Sequence, residues 1–212
     1  MKSEVGTRRK DPERVRQALI DGAAVLVAER GLANVTVAAV AANAGVTKGA
    51  LFHHFADRDA LIVAMFDMLL EQLDRQLDGL MADDPVEHGR FTRAYVNTAL
   101  ARDDGNRHIW AALIGTLFGD NALTRRWYQW LGERLAFCLA DHDPTLEVVR
   151  LAVDGAWIAA TTGISPIDID ALRVRLIEYT RLATQGRPPQ QVRTGGFPKH
   201  HPNRESRTAC IG

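Results

Sequence analysis

The sequence predicts an all-α protein of about nine helices: a small three-helix domain over residues 1–60, a larger helical domain over 61–184, and a disordered tail over 185–212. Three observations carry that prediction. Nearly every segment repeats its apolar residues at spacings of three and four, and none alternates at period two for long. The breaks are punctuated chemically, by "RDDGN" at 102–106, "GDN" at 119–121, "DHDP" at 141–144 and "GISP" at 163–166. Two segments near the N-terminus are much shorter than the rest, at about 36–43 and 47–54. With 212 residues, 46% of them hydrophobic, the chain is long enough to bury a substantial core.

The first helix is placed at about 11–30, with Asp11 as N-cap, Pro12 at the first helical position and Gly31 as the stop. Val15, Leu19, Gly22 and Leu26 fall on one face. After the two short helices, Asp57 caps a long helix reaching about 80. Its stripe is Ile62, Phe66, Leu69, Leu73, Leu77 and Leu80. Further helices are expected at about 86–101, 105–118, 120–140, 145–162 and 167–183. Gly and Pro supply eight of the last 28 residues, which leaves too little apolar material to order the tail.

The formal net charge is zero but unevenly spread: +2 over 1–61, −6 over 62–184 and +4 over 185–212. A mildly basic head on an acidic body confines phosphate contacts to one face. Cys138 and Cys210 form no CxxC, which argues against a disulfide scaffold or zinc ribbon and suits a reducing compartment. The N-terminus lacks the apolar core of a secretory signal, and no apolar run reaches the ~18 residues of a membrane span, so a cytoplasmic location is expected. No GxSxG, GxGxxG, Walker loop or HExxH is present, and His88, His108 and His142 are isolated, so neither an enzyme nor a cofactor is expected.

The informative stretch is "TVAAVAANAGVTKGALFHHFADRDAL", residues 36–61. Two short helices around a glycine-centred turn are the helix-turn-helix pattern. Ala41 is small where the helices approach, and Gly45 can take the positive φ of the turn. Thr36 and Thr47 are N-caps, while Val40, Ala44, Val46 and Leu51 face inward. A generic αα-corner would read similarly on these grounds.

Residues 11–61 resemble the N-terminal domain of the TetR family of transcriptional regulators. The features are a Gly after the first helix, a Thr opening the second, Ala-x3-Gly in the turn, then "GALFHHF" and an acidic/basic pair before Ala-Leu. The family pattern has tyrosine where this chain has Phe52, so the hydroxyl that would bond a phosphate is missing. A contact there is apolar or to a thymine methyl. The resemblance implies a DNA-binding set of Thr36, Thr47, Lys48, Gly49, Ala50, Phe52, His53, His54 and Arg58. Lys48 is the candidate for a base edge, Gly49 and Ala50 allow close approach, and His54 and Arg58 hold phosphates. His53 and His54 point about 100° apart on a helix, which makes them a poor chelate, and no metal site is expected. Arg8, Arg9 and Lys10 either reach a minor groove or stay solvated.

One short helix reads DNA weakly, so the resemblance implies a homodimer on a double-stranded, near-palindromic operator. Ala152, Gly155, Ala156, Ala159 and Ala160, with Leu172, Leu176 and Tyr179, either build that interface or pack within the chain. All four tryptophans lie past residue 100. Tyr95, Trp110, Phe118, Trp127, Asp154 and Trp157 form the candidate ligand-binding set, with core packing as the alternative for each aromatic. Asp154 either pairs with Arg150 one turn back or faces a pocket, where it favours a cation. The reading is therefore a ligand-responsive regulator, a repressor rather than an activator, released by an apolar or cationic small-molecule effector. The rival is a helical carrier or enzyme whose short helices merely pack.

Overall fold

The computed structural model describes residues 11–101, 107–113, 122–162 and 168–182. Among the described residues it is a stack of nine α-helices without a strand. They are α1 Pro12–Arg30, α2 Val37–Asn43, α3 Lys48–His54, α4 Arg58–Ala82, α5 Arg90–Ala99, α6 Arg107–Leu113, α7 Ala122–Phe137, α8 Pro144–Thr162 and α9 Ile169–Leu182. The expected tail and the basic arm at Arg8–Lys10 lie outside the described residues, as does Phe118.

Each head helix starts where its cap predicts. Asp11 accepts from the Glu13 amide at 3.2 Å, Thr36 from Ala39 at 3.2 Å, Thr47 from Ala50 at 3.1 Å and Asp57 from Ala60 at 2.7 Å. α1 packs against α2, α4 and α6, burying Leu19, Gly22 and Leu26. Val15, near its solvated first turn, is only half-buried. α4 has 25 residues, about 38 Å at ~1.5 Å per residue, and carries the head's packing into the body, where α5 and α7 lie against it. Its stripe holds through Leu77; Leu80 is exposed, because the helix runs past its last neighbour there.

One connector is added and two expected helix bounds are corrected. A single 3-10 turn, Leu32–Asn34, joins α1 to α2. The helix expected from residue 86 begins at Arg90, because Gly89 takes φ 74° and the preceding loop is tied down by a buried arginine. Arg93 donates to Asp84 at 2.6 Å and to the Val86 and His88 carbonyls at 2.5 and 2.8 Å. A Cβ on Gly89 would come within 2.9 Å of Arg93 Nη1, so only glycine fits that left-handed position. The helix expected to reach 140 stops at Phe137, and Leu139–Asp141 form a second 3-10 turn.

That second turn places Asp141, 1% exposed, against the start of α5. Its carboxylate accepts from the Phe91 amide at 3.3 Å and the Thr92 amide at 2.7 Å, and from the Thr92 hydroxyl at 2.5 Å. Gly89 offers no side-chain cap, so Asp141 caps α5 from about fifty residues away. Arg150 of α8 closes the cluster, donating to Thr92 Oγ1 at 2.7 Å and to the Asp141 carbonyl at 3.2 Å. Arg150 is thus engaged with Asp141 and Thr92 and makes no ion pair with Asp154.

Candidate functional site

The head presents a helix by its outer face. Val40, Ala41 and Leu51 are fully buried between α1, α2 and α3, and Phe55 is buried beneath the Arg16 guanidinium, 5.3 Å from the ring centroid. The turn is closed by Val46 N–H donating to Ala41 O at 2.9 Å, with Gly45 at φ 66°. These contacts fix the rotation of α3. Lys48, Gly49, Phe52 and His53 are exposed, while Ala50 and His54 are half-buried. Phe52 is 53% exposed, a large apolar group on an otherwise polar surface. A Cβ added to Gly49 would meet only Thr47 Oγ1, at 3.8 Å, so the fold itself does not require glycine there.

Arg58 is used differently from the expectation. Its Nε donates to Val35 O at 2.7 Å, its Nη2 to Leu32 O at 2.6 Å, and its Nη1 meets Asp59 at 3.1 Å. From the first turn of α4 it clamps the 3-10 turn and the residue before Thr36. The side chain therefore positions the entry to α2. Leu32 O also accepts from the Val35 amide at 3.2 Å, so Arg58 adds a second donor there.

In the body, a cavity of about 250 Å³ opens between α4, α5, α6, α7 and α8. It brings together Tyr95, Trp110, Trp127, Asp154 and Trp157 from four helices. The sequence reading missed Thr98 and Gln76 in its wall. Thr98 was legible, standing one turn beyond Tyr95 on the same face of α5. Trp110 meets Phe66 edge-on at 5.7 Å and Trp127 edge-on at 5.9 Å, so the wall continues into the core. Trp130 is set apart: it is 7% exposed and its indole N–H donates to Asp74 at 2.9 Å. Arg126 with Asp67 and Arg134 with Asp74 and Asp78 brace α7 on α4 and hold Trp127 against the cavity.

Asp154 faces the cavity. Tyr95 donates to its Oδ1 at 2.5 Å. Burial raises the Asp154 carboxyl above the ordinary range, and the Tyr95 hydrogen bond and the Arg150 charge only partly offset that. The Tyr95 phenol is pushed well up, first by burial and then by the Asp154 charge.

The outer face of α8 exposes Val148, Leu151, Ala152 and Gly155, and α9 exposes Val174, Tyr179 and Leu182. Ala156 and Leu176 turn inward to the chain's own core. Among the described residues no group of three His, Cys, Asp or Glu side chains is placed to hold a metal ion, and no helix is long and apolar enough to cross a membrane.

A helix-turn-helix head on a helical body defines a DNA-binding protein with an appended domain. Residues 19–65 match the family model "Bacterial regulatory proteins, tetR family", and residues 89–181 match "Tetracyclin repressor-like, C-terminal domain". The HTH-type transcriptional regulator BetI of Brucella canis is 26% identical over 184 residues, covering 82% of this chain and 93% of that protein. A solved structure of the multidrug binding protein EbrR complexed with imidazole is 28% identical, with a TM-score of 0.62 over 81% of this chain and 92% of that one. A transcriptional regulator from Rhodococcus sp. Rha1 shares the fold at 24% identity, with a TM-score of 0.63 over 83% and 97%. The chain belongs to the TetR family and is a transcriptional regulator, not an enzyme.

Proposed function

We propose that the protein is a cytoplasmic, homodimeric repressor that binds a short palindromic operator and leaves it when a small molecule enters the body cavity. The observation that carries the reading is the outer face of α3. Lys48, Gly49, Phe52 and His53 are turned outward by a helix whose inner face, Leu51, is fully buried. Lys48 is the candidate for guanine in the major groove, and Phe52 for a thymine methyl. Thr36, Thr47, Ala50 and His54 border that surface.

Two copies meeting through the outer faces of α8 and α9 would set two α3 helices about 34–36 Å apart, one turn of DNA. The exposed apolar residues of those faces, with Ala152 and Gly155 allowing close approach, support that pairing. The cavity's tryptophans suit an apolar or cationic effector, and the likeness to a multidrug binding protein supports the same reading. Effector binding would shift the population toward dimers whose α3 spacing no longer fits the groove.

In-vitro selection from random duplexes, with the winning site titrated across salt, tests the proposal. A two-fold symmetric site whose affinity falls steeply with salt is expected. A purified protein that enriches no symmetric site would overturn it.

A further inference from the structure

The body cavity has a polar end, and its composition is unbalanced. This inference rests on the proposed function and narrows its effector. Among the described lining residues Asp154 alone carries a formal charge. Its carboxylate has one hydrogen-bond partner among the described residues, the neutral Tyr95 hydroxyl. The nearest cation, Arg150, is held by Thr92 Oγ1 and the Asp141 carbonyl, and Asp141 acts on it more strongly than any other carboxylate. Arg150 is thus engaged inside the α5–α8 contact and offsets Asp154 only in part, which leaves Asp154 as the one charged side chain beside an aromatic wall among the described lining residues. A half-buried carboxylate in that position is costly unless a cation accompanies it.

A second group points the same way. Thr98 is 7% exposed, lines the cavity, and its Oγ1 is buried without a hydrogen-bond partner. Buried hydroxyls are normally satisfied, so an orphan at a cavity wall marks a place where an occupant supplies the missing bond. Thr98 and Tyr95 lie one turn apart on α5, and both line the cavity together with the carboxylate that Tyr95 bonds. Trp110 and Trp127, with Trp157 one turn beyond Asp154 on α8, offer π-faces that also favour a cation.

We infer that the cavity takes an aromatic or aliphatic monocation whose ammonium nitrogen carries N–H groups, one donated to the Asp154 carboxylate and one to the Thr98 hydroxyl. A quaternary ammonium satisfies the charge but not Thr98, and a neutral alcohol of the same shape offers a single O–H and no charge.

Three probes on one frame test this by calorimetry and tryptophan quenching: 1-naphthylmethylammonium, its N,N,N-trimethyl derivative and neutral 1-naphthylmethanol. The primary ammonium is expected to bind at least about tenfold more tightly than the alcohol and several-fold more tightly than the trimethyl compound. Asp154→Asn should erase the preference for charge, and Thr98→Val should erase only the preference of primary over quaternary. Equal binding of ammonium and alcohol, or a charge preference that survives Asp154→Asn, overturns the inference, as does no binding of the ammonium at millimolar concentration. If either variant melts below the parent's working range, the three probes on the parent protein decide. Operator release is scored separately. Release by the alcohol as readily as by the ammonium keeps the proposed function and sinks this inference. Asp154-dependent ammonium binding without release does the reverse.

Discussion

In the head, every helix brings its own cap from the adjoining residue: Asp11, Thr36, Thr47 and Asp57. In the body, α8 and α9 also start on adjoining caps, Asp143 and Asp168, but α5 has a glycine at that position and borrows Asp141 from beyond α7, with Arg150 of α8 closing the cluster. The difference teaches how the two parts do different work. A head whose helix starts are fixed by adjoining residues holds α3 in a defined place on α1 and α2. In the body, one of the polar contacts between α5 and α8, Tyr95 with Asp154, also lines the cavity. Tyr95 bonds Asp154 one turn from Thr92, which bonds Asp141.

The comparison is broken most directly at Asp141. Asp141→Ala removes the cap of α5 and the acceptor of the Thr92 hydroxyl while leaving both hydrogen bonds of Arg150 in place, which should cost about 2–4 kcal/mol in urea unfolding. A loss below about 1 kcal/mol would mean that the body does not depend on the long-range cluster. Arg58→Ala removes the side-chain donor to the Val35 carbonyl and one of two donors to the Leu32 carbonyl and should cost about 1–2 kcal/mol. It should weaken DNA binding through a misplaced α2, so a conservative Arg58→Lys should recover part of both. A stable Arg58→Ala protein that loses only its salt-dependent DNA affinity would return Arg58 to the phosphate role.

Lys48→Ala should leave the melting curve in place and lower operator affinity about tenfold or more, seen in gel-shift titrations. Unchanged affinity would rule Lys48 out as an anchor. Gly49→Ala sharpens the contrast, because its two effects should have opposite signs. Stability should rise by about 0.5–1 kcal/mol, since alanine is the better helix former and meets no clash in the fold. Operator affinity should fall if the backbone lies against the groove; a variant both more stable and equally tight would place α3 further from the DNA.

The smallest effect is on pH. The folded Asp154 carboxyl titrates above its unfolded value near ~4. Its contribution to stability is therefore complete below the unfolded value and is lost as pH rises through the folded one. Tyr95 and Arg150, the other titratable groups acting on it, soften this loss without reversing it. Asp154→Asn should flatten the pH dependence of the ligand-free protein and raise its melting temperature at neutral pH. A lowered melting temperature would make Asp154 a structural group.

Much of the head was legible because its information is local. Thr36, Gly45 and Thr47 each act on groups within five residues, so spacing alone reveals them. The cavity was legible in part. Tyr95, Trp110, Trp127, Asp154 and Trp157 were singled out by residue type, yet nothing in their order separates them from Trp130, which serves as a brace bonded to Asp74. The backbone and side-chain partners of Arg58 and Arg150 were not legible, for one reason. An arginine's donors go to whichever carbonyls or carboxylates the fold brings near, and those lie 23 and 26 residues away for Arg58 and 58 residues away for Thr92 with Arg150.

The sequence by itself determined the all-α class, the helix-turn-helix with its caps, and the family, since periodicity and capping depend on neighbours along the chain. Only the tertiary structure decided that Asp141 caps α5, that Arg58 clamps the turn before α2, and that Asp154 faces a cavity without a cation of its own. Those outcomes depend on which buried charges meet, and burial makes each meeting strong enough to override what local spacing suggests.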